Sequence, residues 1–186
     1  GFEFASFPTV RPGLRERTAV VSGWSKAYSM TGWRLGWVAA PGKVAKALGK
    51  LQSQSTSNVP SMNQMAALAA LEGQHDFLGE WIRVFDRRRR LIVDGLNDLD
   101  GVKCSRPVGA FYVFPDFSGV LQRRFKGEPI GTSMRLAEYL LEEVHVAVVP
   151  GEGFGAPGCL RLSYVTSDEV ISDGLARIRQ ALERLE

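Results

Sequence analysis

Two short, β-branched apolar runs stand near the start of the chain: Thr18 to Trp24 (TAVVSGW) and Leu35 to Ala40 (LGWVAA), the second closed by Pro41-Gly42. Unbroken apolarity over so few residues predicts two buried strands with a loop between them. The pattern then turns helical. Val44 to Leu51 predicts one helix, and the polar stretch Gln52 to Asn58 followed by Pro60 interrupts it. Ser61 to Leu71, rich in Ala, Met and Leu, predicts a second helix that ends at Gly73. The longest periodic segment runs from His75 to Leu99. There Leu78, Ile82, Phe85, Ile92, Leu96 and Leu99 recur at three-, four- and seven-residue intervals, one stripe of a long helix.

Beyond Val102 the elements shorten. Gly109 to Phe114, Val146 to Val149 and Leu160 to Val165 predict strands. Ser133 to Glu143 predicts a helix, and Asp168 to Leu185 a closing helix capped by Ser167 or Asp168. The alternation predicts an α+β module, joined by the long helix to part of an α/β domain. No internal repeat or low-complexity segment appears.

Composition narrows the function classes. A length of 186 residues allows one domain or a domain plus part of another. Hydrophobic residues at 45% and charged residues at 23% exclude a disordered chain. The formal net charge is only +3 and the basic residues are scattered, which argues against nucleic acid. No apolar run approaches the roughly 20 residues that span a bilayer. Cys104 and Cys159 lie far apart and form no CxxC pair, so they read as reduced thiols of a cytoplasmic protein. His75 and His145 have no neighbours at ligand spacing, and no metal site is expected. Arg87 to Arg90 reads as a solvated helix face rather than an anion patch, because four consecutive residues spread around the helix. The opening, GFEFASFPTVRPG, reads as the middle of a longer chain, so the sequence is expected to be a fragment.

The candidate chemistry lies between the two predicted strands, in Gly23 to Gly36 (GWSKAYSMTGWRLG). Ser22, Ser25, Ser29 and Thr31 supply hydroxyls, and Lys26 and Arg34 supply the cations. Such a set at the end of a strand makes an anion cradle. A lysine near other cations, or partly desolvated, loses its proton more readily and becomes a nucleophile toward carbonyl carbon. A second candidate is Arg161. Alternation along Leu160 to Val165 puts Leu160 and Leu162 on one face and Arg161 with Ser163 on the other. An arginine in an apolar strand needs a partner, either a protein carboxylate such as Glu152 or a bound one held by both arms of its fork. Tyr28, Tyr112 and Tyr164 read as core or rim.

The string around Lys26 is similar to the cofactor-lysine signature of the class I and II aminotransferases. Serine precedes the lysine, Thr31-Gly32-Trp33 follows, and an arginine comes eight residues after it. Trp24 departs from the pattern, being bulkier than the family's residue two before the lysine. QSQSTSN (Gln52 to Asn58) with Gln64, GAFYVFPD (Gly109 to Asp116), VVPGEGFG (Val148 to Gly155) and CLRLSYVTS (Cys159 to Ser167) also resemble family landmarks, in the family's order. The aspartate/prephenate branch is the most similar.

The resemblance implies a fold-type-I architecture. Residues 1–73 would be the C-terminal remnant of the large cofactor-binding domain, 74–99 an interdomain helix, and 100–186 the small C-terminal domain. It implies pyridoxal 5'-phosphate held by Lys26 as a Schiff base, with Ser25, Ser22 and Arg34 on its phosphate. Lys26 would also be the catalytic base, and Arg161 would hold the substrate α-carboxylate. The implied reaction is transamination between an amino acid, aspartate first, and a 2-oxo acid, 2-oxoglutarate first, in a homodimer. In that family an acid facing the pyridine nitrogen, a tyrosine and an asparagine lie upstream of the lysine. Glu3 is too close to Lys26 to be that acid, so the chain alone is expected to have little or no activity. The alternatives are a fold-type-I lyase or synthase, a cofactor-sensing domain of a transcriptional regulator, and a non-catalytic binding module.

Overall fold

Near the start of the chain, β1 (Val20–Gly23) and β2 (Gly36–Ala39) pair antiparallel, with Val20 opposite Ala39 and Gly23 opposite Gly36. The computed structural model describes residues 3–186, so the first two residues of the opening stretch lie outside the described residues. Helices α1 (Gly42–Ser55) and α2 (Ser61–Glu72) follow, each entered through a proline, Pro41 and Pro60, with extended backbone. These elements belong to a first unit that ends at Leu78.

The expectation that both runs are buried strands is corrected. β2 is exposed along its length, and in β1 only Val20 is half-buried. The physical reason is the ladder itself. A two-stranded sheet buries its faces only if another layer covers them, and Val21 and Val38 remain open among the described residues. The small core of this unit forms elsewhere: Trp24, Met30 and Leu35, from the connection between the strands, pack with Ala67 of α2.

Helix α3 (Asp76–Asn97) leads into the second unit, which runs from Gly79 to Glu186. Its three-stranded antiparallel sheet has β7 (Leu160–Ser163) in the centre, between β3 (Tyr112–Val113) and β6 (Val149–Pro150). Tyr112 faces Ser163 across one ladder and Val149 faces Arg161 across the other. A short hairpin, β4 (Arg124–Phe125) with β5 (Glu128–Pro129), turns through Lys126 and Gly127, both left-handed as its tight turn requires. Helices α4 (Ser133–Val144) and α5 (Asp168–Glu183) pack on each other. Only the later part of the stripe predicted on the long helix goes inside: Ile92 and Leu96 are buried, with Val93 beside them and Leu99 just beyond the helix, and Phe85 is half-buried, whereas Ile82 is exposed. They meet Phe117, Leu136, Leu140, Leu160 and Ile178 in one continuous core. Tyr139 is buried among them and donates its hydroxyl to the Ala181 carbonyl at 2.8 Å. Among the described residues no helix is long and apolar enough to cross a membrane.

Ser167 is the cap of α5, accepting from the Val170 N–H at 3.3 Å. Asp168 has a different partner set: Arg87 at 2.7 Å and Arg88 at 3.2 Å hold its carboxyl below the usual carboxylate range. Arg89 and Arg90 both reach Asp86 at 2.5 Å. All four arginines are therefore spent on ion pairs within the unit. Phe117 is fully buried with no partner but packing. Phe117→Ala is expected to destabilise this unit by about 3–5 kcal/mol, read as a lower urea midpoint by far-ultraviolet circular dichroism. A shift below about 1 kcal/mol would mean that the core closes around the gap.

Candidate functional site

The predicted lysine sits on a connection that the buried Trp24 anchors. The Trp24 carbonyl accepts from the N–H groups of Tyr28 at 3.2 Å and Met30 at 3.4 Å, and the Lys26 carbonyl from Ser29 at 3.2 Å. These bonds wrap the chain tightly around Lys26, whose side chain is exposed. A 3₁₀ turn, Thr31–Trp33, carries the chain back toward β2. Arg34 then adopts a left-handed conformation (φ 54°, ψ 49°) and donates from Nη1 to the Thr31 carbonyl at 3.0 Å. Asn63 of α2 fastens this turn from outside, donating to the Trp33 carbonyl at 2.7 Å. At the root, a Cβ on Gly23 would stand 2.7 Å from the Leu35 carbonyl oxygen, so only glycine lets the two ends come together.

Ser22 ends up in β1 opposite Trp37, while Ser25, Lys26 and Arg34 lie on the connection itself. Three of these residues are exposed and Ser25 is half-buried. Between Glu16 and Glu72 the chain contains Arg17, Lys26, Arg34, Lys43, Lys46 and Lys50 and no acidic residue at all. Hydroxyls, an arginine and a lysine in an acid-free stretch are a donor set for an anion. They fit an aldehyde that carries a phosphate, because one amine and several phosphate donors are what such a molecule needs.

Arg161 is built differently. It is half-buried on β7, with Leu160 and Leu162 buried on either side and Ser163 exposed, as alternation predicts. Its guanidinium carbon stands 4.6 Å from the Tyr112 ring centre and 4.9 Å from that of Phe154. Among the described residues no carboxylate pairs with it. Glu152, the protein partner the strand pattern allowed, is taken: its carboxylate accepts from the Ser133 hydroxyl and, at 3.3 Å, from the Met134 N–H. Those bonds, the Ser133 one foremost, hold the Glu152 carboxyl below its ordinary range. Glu152 and Phe154 share the 3₁₀ turn Gly151–Phe154. A Cβ on Gly151 would fall 2.1 Å from the Ala156 carbonyl oxygen, so the tightness of this loop depends on glycine.

Tyr112 and Phe154 are the site residues that the sequence did not single out. Tyr112 reads as core or rim, yet its ring forms one face of the arginine's seat. An aromatic residue inside the glycine-rich VVPGEGFG loop was the available signal for Phe154, since no apolar periodicity requires it there. Tyr164 is core, with its hydroxyl on the Ala110 carbonyl at 2.9 Å. Tyr28 is half-buried, edge-on to His75 and Phe77.

The sequence model of aminotransferase class I and II matches residues 1–178. An aspartate aminotransferase of Rhizobium meliloti (strain 1021) is 47% identical over 186 residues, covering 100% of this chain and 45% of its own length. An aspartate/prephenate aminotransferase of Cereibacter sphaeroides is 47% identical over 179 residues, 96% of this chain and 45% of its own length. The crystal structure of the aspartate aminotransferase from Rhizobium meliloti superposes with a TM-score of 0.95 at 46% identity, covering all of this chain and 47% of that one. The chain thus spans about 45% of the length of the curated relatives it matches. With its fold matched to fold-type-I aminotransferase structures, the chain belongs to the class I and II aminotransferase family.

Proposed function

We propose that the full-length protein is a pyridoxal-phosphate-dependent aminotransferase that exchanges an amino group between aspartate and a 2-oxo acid, with 2-oxoglutarate the first candidate. The observation that carries this reading is the acid-free stretch that holds Lys26, Ser25 and Arg34 on one connection, with Ser22 in the strand before it. The names of the relatives support aspartate as donor.

Pyridoxal phosphate, when bound, supplies an electron-withdrawing ring that stabilises the charge left on the substrate Cα as its proton departs. Lys26 is assigned the covalent bond to the cofactor aldehyde through Nζ. With its amine free, Lys26 would take the Cα proton as general base. Arg34, Ser25 and Ser22 hold the phosphate. Arg161 takes the α-carboxylate with both arms of its fork, and family membership is what assigns it to the same substrate as Lys26. Because the 2-oxo acid that accepts the amino group carries the same carboxylate, one arginine serves both half-reactions, and ping-pong kinetics follow.

The reading divides the chain into a cofactor-domain segment, residues 1–73, an interdomain helix, 74–99, and a small domain, 100–186. The unbroken α3 helix supports the middle assignment. A homodimer is proposed for the full-length protein. The exposed row Val44, Leu48 and Leu51 on α1 supports burial of that face in the whole assembly.

Borohydride reduction of the full-length protein with pyridoxal phosphate, followed by peptide mapping, tests the assignment. Label confined to Lys26, absent from Lys26→Ala, is the expected result, and label spread over many lysines would sink it. A single turnover with aspartate and no acceptor separates the reaction classes: a transaminase stops at one 2-oxo acid per bound cofactor, whereas a lyase continues. Arg34→Ala is expected to weaken cofactor binding by about 10–150-fold, the equivalent of the ~1.5–3 kcal/mol of a charged hydrogen bond, in an absorbance titration. An unchanged affinity would remove Arg34 from the phosphate site.

A further inference from the structure

The glycine-rich turn that carries Phe154 is not held by its own backbone alone. Within it, the Gly155 N–H reaches the Glu152 carbonyl at 3.1 Å, the Ala156 N–H the Gly151 carbonyl at 3.0 Å, and the Gly151 N–H the Cys159 carbonyl at 2.8 Å. These bonds close the loop on itself and on the residue before β7. They leave undefined how the turn is set against the helix beside it. One side chain adds a direct polar tie. Glu152 crosses to the first turn of α4, where it accepts from the fully buried Ser133 hydroxyl and from the Met134 N–H. Thr132 already caps the same helix end by accepting from Arg135 at 3.1 Å. Glu152 therefore does not duplicate that cap; it takes one backbone donor that Thr132 leaves over, the Met134 N–H, together with the Ser133 side-chain hydroxyl. Two residues later Phe154 lies against Arg161 on one side and edge-on to Phe114, ring centres 5.7 Å apart, on the other.

We infer that the Glu152–Ser133 contact is a positioning device for the carboxylate-binding arginine: it ties the turn to α4 and so fixes the Phe154 ring that orients the Arg161 guanidinium. This rests on the reading of Arg161 as the substrate-carboxylate residue. Glu152 touches no substrate in this assignment and acts through Phe154. The guanidinium plane must match the plane of the carboxylate for both arms of the fork to bond. A tilt of its aromatic seat weakens that match without removing the charge.

Steady-state kinetics of the full-length enzyme test this. Glu152→Ala is expected to raise KM for aspartate and for the 2-oxo acid about 3–10-fold, a part of the two carboxylate hydrogen bonds it removes, since the effect reaches Arg161 only through Phe154, with kcat within about twofold because no reacting atom is touched. Glu152→Gln keeps an acceptor for Ser133 and is expected to recover most of the KM. Ser133→Ala, which removes one donor at nearly constant volume, is read the same way and serves if Glu152→Ala does not fold. A lowered melting temperature with unchanged KM would overturn the inference and leave Glu152 as a structural tie only. Failure of Glu152→Gln to restore KM would also overturn it. Arg161→Lys in the same series tells the two levels apart. If it too leaves KM unchanged, the carboxylate assignment has failed; if it raises KM while Glu152→Ala does not, only the positioning role has.

Discussion

Lys26→Ala in the full-length protein is expected to abolish transamination of aspartate, with kcat falling by at least the ~10²–10⁴-fold that a positioned general base contributes. The loss should exceed that of a base alone, because the same amine forms the covalent attachment to the cofactor. The next lysine in the chain is Lys43, at the start of α1. Lys26→Arg separates the two sources of binding. It keeps the positive charge beside Ser25, but a guanidinium does not give up its proton at any working pH. It should therefore retain phosphate attraction while remaining inactive. The measurement is 2-oxo acid production in a coupled assay, with cofactor content followed by absorbance. Lys26→Ala turnover within about tenfold of the parent, well short of the loss of a general base, would remove Lys26 from the chemistry.

Arg161→Ala is expected to lower kcat/KM for aspartate by about 10–150-fold, equivalent to the ~1.5–3 kcal/mol of a hydrogen-bonded charge. The loss should appear mainly in KM, for donor and acceptor alike, since both carry a carboxylate on the reacting carbon. Arg161→Lys should fall between the parent and Arg161→Ala. It keeps the charge but loses the planar fork and the stacking on Tyr112 and Phe154. An amine without an α-carboxylate provides the internal control, because its slow reaction should not respond to either substitution. Equal losses for amine and amino acid would mean that Arg161 supports the fold rather than the substrate.

What the sequence revealed depended on how local the physics was. The long helix was legible because the later part of its stripe, Phe85 to Leu99, faces one core, and α3 ends within two residues of the apolar pattern, although Ile82 earlier in the stripe stays exposed. The helices α4 and α5 were legible for the same reason, and Ser167 even as a cap. The strands were overdrawn. Gly109 to Phe114 contracts to Tyr112–Val113, with Ala110 left-handed (φ 62°) before it and Pro115 after it. The two runs beside Lys26 pair antiparallel and lie exposed, because apolar content alone cannot say whether a covering layer is present. The site divides along the same line. Lys26, Ser25, Ser22 and Arg34 belong to one short stretch and could be read together, and the outward side of Arg161 followed from alternation. Its seat could not be read that way, since Tyr112 and Phe154 arrive from a separate strand and a separate turn. The engagement of Glu152 by Ser133 likewise joins residues from two elements, and no spacing rule links them.

The division of the chain at Leu78 has a practical consequence for optical work. Three of the four tryptophans, Trp24, Trp33 and Trp37, belong to the unit that holds Lys26, and only Trp81 lies beyond the boundary. Indole emission is thus a reporter biased toward the lysine-bearing half, while the larger core of leucine, tyrosine and phenylalanine is nearly silent to it. Unfolding followed by fluorescence and by circular dichroism would register two different events, and a single midpoint drawn from either would describe only part of the molecule.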